Sequence, residues 1–138
     1  LIKGRIEGTD GDNLVVDLFG QKISMPKKRS HAVDNSIYAG IRPEKFRISL
    51  VGTPTRGNTL TGGHIEDVSY IGVSTQYQVM MPWGQEVMVF EQNDDGVAPF
   101  DKGDEVVISW EPTFTFALRG DEDVEAGLEV NPEEPEEE

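Results

Sequence analysis

The sequence predicts an all-β fold, a small barrel or sandwich built from short strands. Apolar and polar residues alternate over short runs, most clearly in residues 75–81 and 104–110, and such alternation is typical of half-buried strands. Clusters of turn-forming residues separate the runs at intervals of roughly ten residues, a spacing found in small barrels and sandwiches. No stretch has a sustained helical period. The 138 residues suffice for one medium domain or two very small ones.

The first part of the chain alternates between strand and turn patterns. Residues 9–13, Thr-Asp-Gly-Asp-Asn, are rich in residues that favour turns. Phe19-Gly20 predicts a second, tighter turn. Residues 26–35 are polar and predict a loop. We therefore expect strands at 3–8, 14–18, 21–25 and 36–41.

A distinctive corner follows, at residues 39–46. Gly40 can take backbone angles closed to other residues. Pro43 fixes its own φ and pushes Arg42 into an extended conformation, so the strand should enter a stiff turn and leave as a strand at 46–50. Arg42 and Glu44 bracket the proline with opposite charges. The simplest interpretation is a corner whose ion pair holds its own loop.

The second part has the clearer pattern. Residues 51–58 contain closely spaced glycine and proline and predict a connector. Beyond it, one face of a strand carries Tyr77, Val79 and Met81, and Trp83 lies in a turn. A turn cluster at residues 93–96 precedes the last strong strand. The strands predicted here cover 59–70, 75–81, 85–91 and 104–110.

Charge is concentrated at the end of the chain. The net charge is −14, and residues 121–138 hold ten acids and no Lys or Arg, so residues 1–120 carry only −4. We divide the chain into a first β subdomain at 1–55, a second at 56–120 and an acidic tail at 121–138. This acidity argues against a nucleic-acid partner, because phosphate binding requires clustered Lys and Arg. The absence of cysteine rules out disulfides and thiol chemistry.

The residues show no catalytic, cofactor-binding or metal-binding motif. A phosphate-binding loop requires a Gly-Lys pair that opens a helix, and the sequence contains no such pair. Residues 60–64, Leu-Thr-Gly-Gly-His, resemble the nucleotide-clasping signature of ABC ATPases, but strand-like residues follow them, so we interpret the match as coincidence. His31 and His64 lie in separate halves without a partner at ligand spacing. We interpret both histidines as surface residues.

The corner also carries a family resemblance. Gly40-Ile41-Arg42-Pro43-Glu44 resembles the signature in the C-terminal domain of ABC importer ATPase subunits of the maltose and spermidine/putrescine types. In that family a histidine often follows the glutamate, whereas here it is Lys45. The likeness continues through residues 68–72, the turn at Trp83-Gly84 and residues 107–112, and covers roughly residues 1–120.

The resemblance implies a TOBE-type regulatory module built on small OB-like barrels. It implies a non-catalytic regulatory and dimerisation domain of the ATP-binding subunit, with Gly40, Arg42, Pro43 and Glu44 as its structural or interface signature. The expected partners are a second copy, an upstream ATPase domain, membrane permease subunits and a small-molecule regulator. The expected location is the cytoplasmic face of the cell membrane. ATP and Mg would belong to the full-length subunit, and no cofactor is expected in this fragment.

Two other functions stay open at this point. One is a small-ligand-sensing OB-like module, since related modules in oxyanion importers bind their substrate between subunits. The other is a small barrel that binds single-stranded nucleic acid, against which the negative charge weighs.

Overall fold

The computed structural model describes residues 1–92 and 100–119. Within these residues the chain forms ten strands and three single turns of 3-10 helix, and every strand pair is antiparallel. The all-β prediction is therefore confirmed. The strands are β1 (Ile2–Asp10), β2 (Asn13–Leu18), β3 (Gln21–Pro26), β4 (Ser36–Gly40), β5 (Arg47–Leu50), β6 (Asn58–Ile71), β7 (Ser74–Met80), β8 (Glu86–Gln92), β9 (Glu105–Trp110) and β10 (Phe116–Arg119).

The two sheets exchange a strand. The first sheet has the order β10-β4-β1-β2-β3, and the second has the order β5-β9-β6-β7-β8. Each sheet therefore takes four strands from one half of the chain and its fifth strand from the other half. The exchanged strands are β5, which pairs with β9, and β10, which pairs with β4.

Each sheet thus contains strands from both sides of the boundary that we predicted at residue 55. β5 lies within residues 1–55 but belongs to the second sheet, and β10 lies within 56–120 but belongs to the first. The reason is local, because a proline corner precedes each of these strands and directs the chain out of its own sheet. The division at residue 55 stays a prediction about folding units, and the two ranges are interlocked.

The two halves repeat the same plan. Ala39 of β4 lies between Ile2 and Ala117 in the first sheet, and Ile108 of β9 lies in the same way between Leu60 and Ile48 in the second. Each half also has a β-bulge at the same point of its first hairpin, between Ile6 and Gly8 and between Ile65 and Asp67. This register defines corresponding positions in the two halves.

The core follows the predicted faces. Tyr77, Val79 and Met81 are buried, and Trp110 is fully buried. β9 departs from simple alternation, since five successive residues from Val106 to Trp110 are buried. The strand lies between β5 and β6, so both of its edges are paired and both of its faces are covered.

Polar side chains join the two sheets. The Asn58 amide donates to the carbonyl oxygen of Ser24 at 2.7 Å and accepts from its N–H at 2.8 Å. Gln21 makes a similar two-way contact with the backbone of Thr61, at 3.0 and 2.8 Å. These contacts satisfy backbone groups of one sheet with side chains of the other.

Two details differ from the sequence-based expectations, and two lie outside the described residues. β10 was not predicted as a strand, because its four residues follow a proline corner and are too few to show alternation. The turn predicted at 9–13 contains only Gly11 and Asp12, because the pairing of β1 with β2 continues as far as Asp10 and Asn13. The turn cluster at 93–96 and the acidic tail at 121–138 are not among the described residues.

Candidate functional site: two corners and the cleft beside them

The first corner comprises residues 41–46. Arg42 is extended, with φ −69° and ψ 140°, and a 3-10 turn over Pro43–Lys45 follows. The N–H of Lys45 donates to the carbonyl oxygen of Arg42 at 2.9 Å and closes the turn. The conformation of Arg42 is the one that a following proline imposes. The corner thus connects β4 in the first sheet to β5 in the second sheet.

Gly40 is required at the corner for a reason that we did not predict. Its φ is not in the left-handed region, so backbone freedom does not explain the glycine. Gly40 is paired with Phe116 of β10, and a Cβ on Gly40 would overlap the Phe116 ring. The glycine therefore makes room for the exchanged strand.

Arg42 and Glu44 lie at the surface of the corner. Their charged groups are 3.9 Å apart, and their side chains are 77% and 51% exposed. A solvated pair of this kind contributes at most about 1 kcal/mol. The ion pair is present as expected, but its exposure makes it too weak to hold the corner.

A second corner, residues 111–115, lies beside the first. It contains the 3-10 turn Pro112–Phe114 and leads from β9 to β10. The indole N–H of Trp110 donates to the Thr115 hydroxyl at 2.7 Å inside the core. The ring of Phe46 meets the Trp110 ring edge-on, with centroids 5.4 Å apart. Buried aromatic packing therefore connects the two corners.

Two further contacts join the corners at the surface. The ammonium group of Lys45 lies over the Phe114 ring, 4.5 Å from its centroid, a cation–π contact. Arg47 forms an ion pair with Glu111 at 3.3 Å and donates to the carbonyl oxygen of Arg56 at 2.7 Å. Lys45 and Phe114 occupy corresponding positions in the two halves, so this contact joins equivalent points of the two corners.

An aromatic stack makes a similar link between two hairpin turns. The rings of Phe19 and Trp83 are nearly parallel, with centroids 4.7 Å apart. Phe19 has φ 53°, a left-handed value that is strained for a residue with a side chain. The two turns correspond, and each is followed by glutamine, Gln21 and Gln85. A recurring aromatic-Gly-Gln sequence was the signal for this contact, and the sequence analysis missed it.

An apolar cleft of about 460 Å³ opens between the first corner and β8. Gln85 at its margin donates to the carbonyl oxygen of Leu1 at 2.7 Å and accepts from the indole N–H of Trp83 at 2.9 Å. Glu86 is the acidic residue of the wall, and apolar side chains dominate the lining. The cleft is lined by Leu1, Ile2, Ala39, Ile41, Pro43, Phe46, Gln85, Glu86, Val87 and Met88.

Two ionisable groups with raised pKa values, Tyr77 and Glu91, are not among the residues that line the cleft. Burial raises the pKa of the half-buried Glu91 carboxyl on β8. Burial, with a smaller contribution from Glu91, raises the pKa of Tyr77 to about 12. Tyr77 therefore stays neutral at physiological pH. Its hydroxyl is buried and lies near the backbone of Phe100.

In residues 1–92 and 100–119, no three His, Cys, Asp or Glu side chains are grouped so as to hold a metal ion. His31 and His64 are exposed, and His64 contacts only Glu66 among the described side chains, at 3.2 Å. Residues 60–64, which resemble the ATPase signature, lie within β6. Among the described residues there is no helix with the length and apolar character to span a bilayer.

Comparison with known proteins places the chain among curated relatives. It is 27% identical over 123 residues to the spermidine/putrescine import ATP-binding protein PotA of Rubrobacter xylanophilus, covering 87% of this chain and 31% of the relative. It is 31% identical over 116 residues to PotA of Acidothermus cellulolyticus, covering 83% of this chain and 29% of the relative. The chain therefore spans about a third of the length of the relatives that it matches.

A solved structure shares the fold. The molybdate-bound form of the cytoplasmic molybdate-binding protein ModG matches with a TM-score of 0.67 and 14% identity, over 84% of this chain and 92% of that chain. The OB-like architecture expected from the corner signature is thereby confirmed. The TOBE domain family matches residues 39–118, from the end of β4 into β10, and includes both corners. The match covers more than half of the sequence, so the chain belongs to the TOBE domain family.

Proposed function

We propose that this chain is the regulatory and dimerisation domain of the ATP-binding subunit of an ABC importer for polyamines or a similar small solute. The observation that carries the proposal is the similarity to PotA, an import ATP-binding protein, over 87% of the chain. A TOBE domain is a regulatory rather than a catalytic domain, and this agrees with a sequence that has no phosphate-binding loop.

The expected partners follow from the same proposal. An upstream ATPase domain would hydrolyse ATP with Mg, permease subunits would cross the membrane, and a second copy would complete a dimer at the cytoplasmic face. Within the domain, exchanged strands and the two joined corners tie both sheets into one unit. A rigid unit of this kind can transmit a displacement at one end to contacts at the other.

The first test concerns nucleotide. We predict that residues 1–138 neither bind nor hydrolyse ATP, because no backbone cradle for phosphates is encoded. Titration of ATP–Mg into the purified chain in a calorimeter should give no heat of binding. Binding with micromolar affinity would contradict the non-catalytic assignment.

The second test concerns regulation. In the full-length subunit, deletion of the segment equivalent to residues 1–138 should leave ATP hydrolysis in place and remove its response to the transported solute. The matched control is Gly8→Ala, since a Cβ on Gly8 meets nothing within 4 Å and the variant should keep the fold. A deletion subunit that is still regulated by the solute would contradict the proposal.

Small-ligand sensing is the second candidate function. It is favoured by the fold shared with a molybdate-binding protein. The cleft described above is mainly apolar and lacks the convergent donors that an oxyanion requires. A ligand of that class would therefore have to bind elsewhere, and titration of molybdate into the isolated chain tests this. The nucleic-acid alternative is weakened further by the net charge of −14.

A further inference from the structure

The two halves of the chain end their first hairpins in different ways. The β1–β2 and β6–β7 hairpins both turn through a glycine with left-handed φ, 62° at Gly11 and 61° at Gly72. The first turn is flanked by Asp10, Asp12 and Asn13, which are common and well-solvated turn residues. The second turn is flanked instead by apolar side chains.

We define the apolar tip as Tyr70, Ile71 and Val73. Their side chains are 64%, 57% and 70% exposed. The hairpin is also longer, since β6 extends to Ile71 beyond its bulge at Asp67, whereas β1 ends at Asp10, soon after its bulge at Gly8. The first hairpin makes the same glycine turn without apolar residues, so folding does not require them. Three exposed apolar side chains at the end of one hairpin indicate an interaction site.

We propose that the apolar tip inserts into the apolar cleft of a second copy of this chain, and that the second copy returns the contact about a twofold axis. The inference rests on the proposed dimerisation function and specifies the residues that perform it. Ile41, Pro43 and Met88 form the partly exposed wall of the cleft that receives the tip.

The tip cannot fill the cleft of its own chain. Ile71 pairs with Ser74, and Ser74 pairs with Gln92 at the far end of β8. The cleft is lined by the opposite end of β8, up to Met88. Gln92 is four residue steps along the strand from Met88, a distance of about 14 Å. The hairpin points away from that end, so the contact has to be made between chains.

The small exposed area of the tip favours a second copy over an unrelated partner. Three exposed apolar side chains present on the order of a few hundred Å². A single insertion would therefore stay below the roughly 1,200 Å² of total buried surface at which specific interfaces begin. A twofold axis buries two tips and two clefts at once, which brings the total close to that threshold. The resulting dimer should be weak and dependent on concentration.

The two halves provide one cleft and one tip per chain. Ile41 at the first corner corresponds to Trp110 at the second, and the Trp110 indole is fully buried. The smaller Ile41 leaves part of its side chain on the wall of the cleft. Each chain therefore offers the tip and the cleft described above, and a twofold axis uses both pairs of surfaces at once.

Sedimentation equilibrium of residues 1–138 tests the contact. The wild-type chain should form a reversible dimer, and Val73→Asp should raise the dissociation constant by about tenfold or more, as expected for the loss of a central apolar contact. The matched control is Val33→Asp, since Val33 is similarly exposed at 66% but lies in the loop between β3 and β4, far from the hairpin in sequence. The control should dimerise like the wild type.

Disulfide trapping tests the geometry independently, because the chain contains no cysteine. A mixture of Val73→Cys and Glu86→Cys chains should form a mixed disulfide dimer on mild oxidation. A mixture of Val33→Cys and Glu86→Cys chains should not form one under the same conditions.

The remaining outcomes separate the inference from the proposed function. Dimers that are unaffected by Val73→Asp and give no 73–86 cross-link would overturn the inference but leave the dimerisation function standing. A chain that stays monomeric at the highest attainable concentration would overturn both the inference and the dimerisation part of the proposed function, and the deletion would then test regulation alone. Cosedimentation of the wild type, but not of Val73→Asp, with phosphatidylcholine vesicles would show that the tip contacts lipid and would also overturn the inference.

Discussion

At the scale of single residues, close packing of buried side chains, rather than the pairing of surface charges, stabilises the corner. Gly40 leaves room for the ring of Phe116 on the neighbouring strand. Phe46 and Trp110 pack edge-on beneath the surface. The charged pair Arg42 and Glu44 is the most visible feature in the sequence, yet it is solvated. Buried contacts therefore carry most of the stability at this site.

Gly40→Ala should destabilise the domain by about 2 kcal/mol, because the added methyl group overlaps the Phe116 ring and forces β10 or the ring to move. Urea unfolding of the two proteins measures the change. The matched control is Gly8→Ala, since a Cβ on Gly8 meets nothing within 4 Å. Equal losses for the two variants would show that the space beside Gly40 is not limiting.

Glu91→Gln should stabilise the domain at neutral pH and have less effect in acid. Burial raises the pKa of Glu91 in the folded state, so the folded state holds this proton more tightly than the unfolded state. Stability from this group therefore falls as pH rises from about 4, the ordinary carboxyl value, through the raised value. Below both values the carboxyl is neutral in both states and the penalty disappears.

Urea midpoints of the wild type and Glu91→Gln at pH 7 and at low pH measure this difference. Glu86→Gln is the matched control, because Glu86 lies on the same strand with an exposed side chain. An advantage of Glu91→Gln that grows as pH falls would contradict the expected sign.

At the scale of elements, the two corners are equivalent structural motifs. Each consists of a residue held extended by a following proline, a single 3-10 turn and a short strand that joins the other sheet. The contacts of Lys45 with Phe114 and of Arg47 with Glu111 join the two motifs to each other. The corners therefore determine which sheet each exchanged strand completes.

Pro43→Gly should destabilise the domain by about 1 kcal/mol, mainly because the unfolded chain gains backbone freedom at this position. The lower midpoint should appear in urea unfolding with little change in the slope. Pro112→Gly, at the corresponding position of the second corner, should lose a similar amount. A Pro43→Gly midpoint equal to that of the wild type would show that the proline does not limit the corner.

At the scale of the whole molecule, the exchange of strands makes the two halves interdependent. β10 supplies the buried Ala117 and the Phe116 ring to the first sheet, although it comes from the end of the second half. Neither half therefore contains all five strands of its own sheet. Strand exchange interlocks residues 1–55 and 56–120 through two strand pairs, β5 with β9 and β10 with β4.

Truncation tests this interdependence. Cutting the chain after Gly120 should leave the β-rich circular dichroism spectrum and the melting temperature nearly unchanged. The acidic tail has Val124, Leu128 and Val130 but too few other apolar residues to offset the entropy of ordering it. Cutting after Thr115, which also removes β10, should lower the melting temperature strongly. A large fall for the longer fragment would show that the tail belongs to the core.

The sequence by itself determined the class of fold, most strand positions and the family. Alternation and turn clusters are local signals, so strands such as β7 and β9 could be predicted from residues close together in the chain. The corner signature was sufficient for the family because proline and glycine restrict the backbone locally. The tertiary structure alone decided that β5 and β10 exchange sheets, that Gly40 accommodates Phe116 and that an apolar cleft lies beside Pro43. These features join residues that are far apart in sequence, and their partners are selected by packing, which no local pattern encodes.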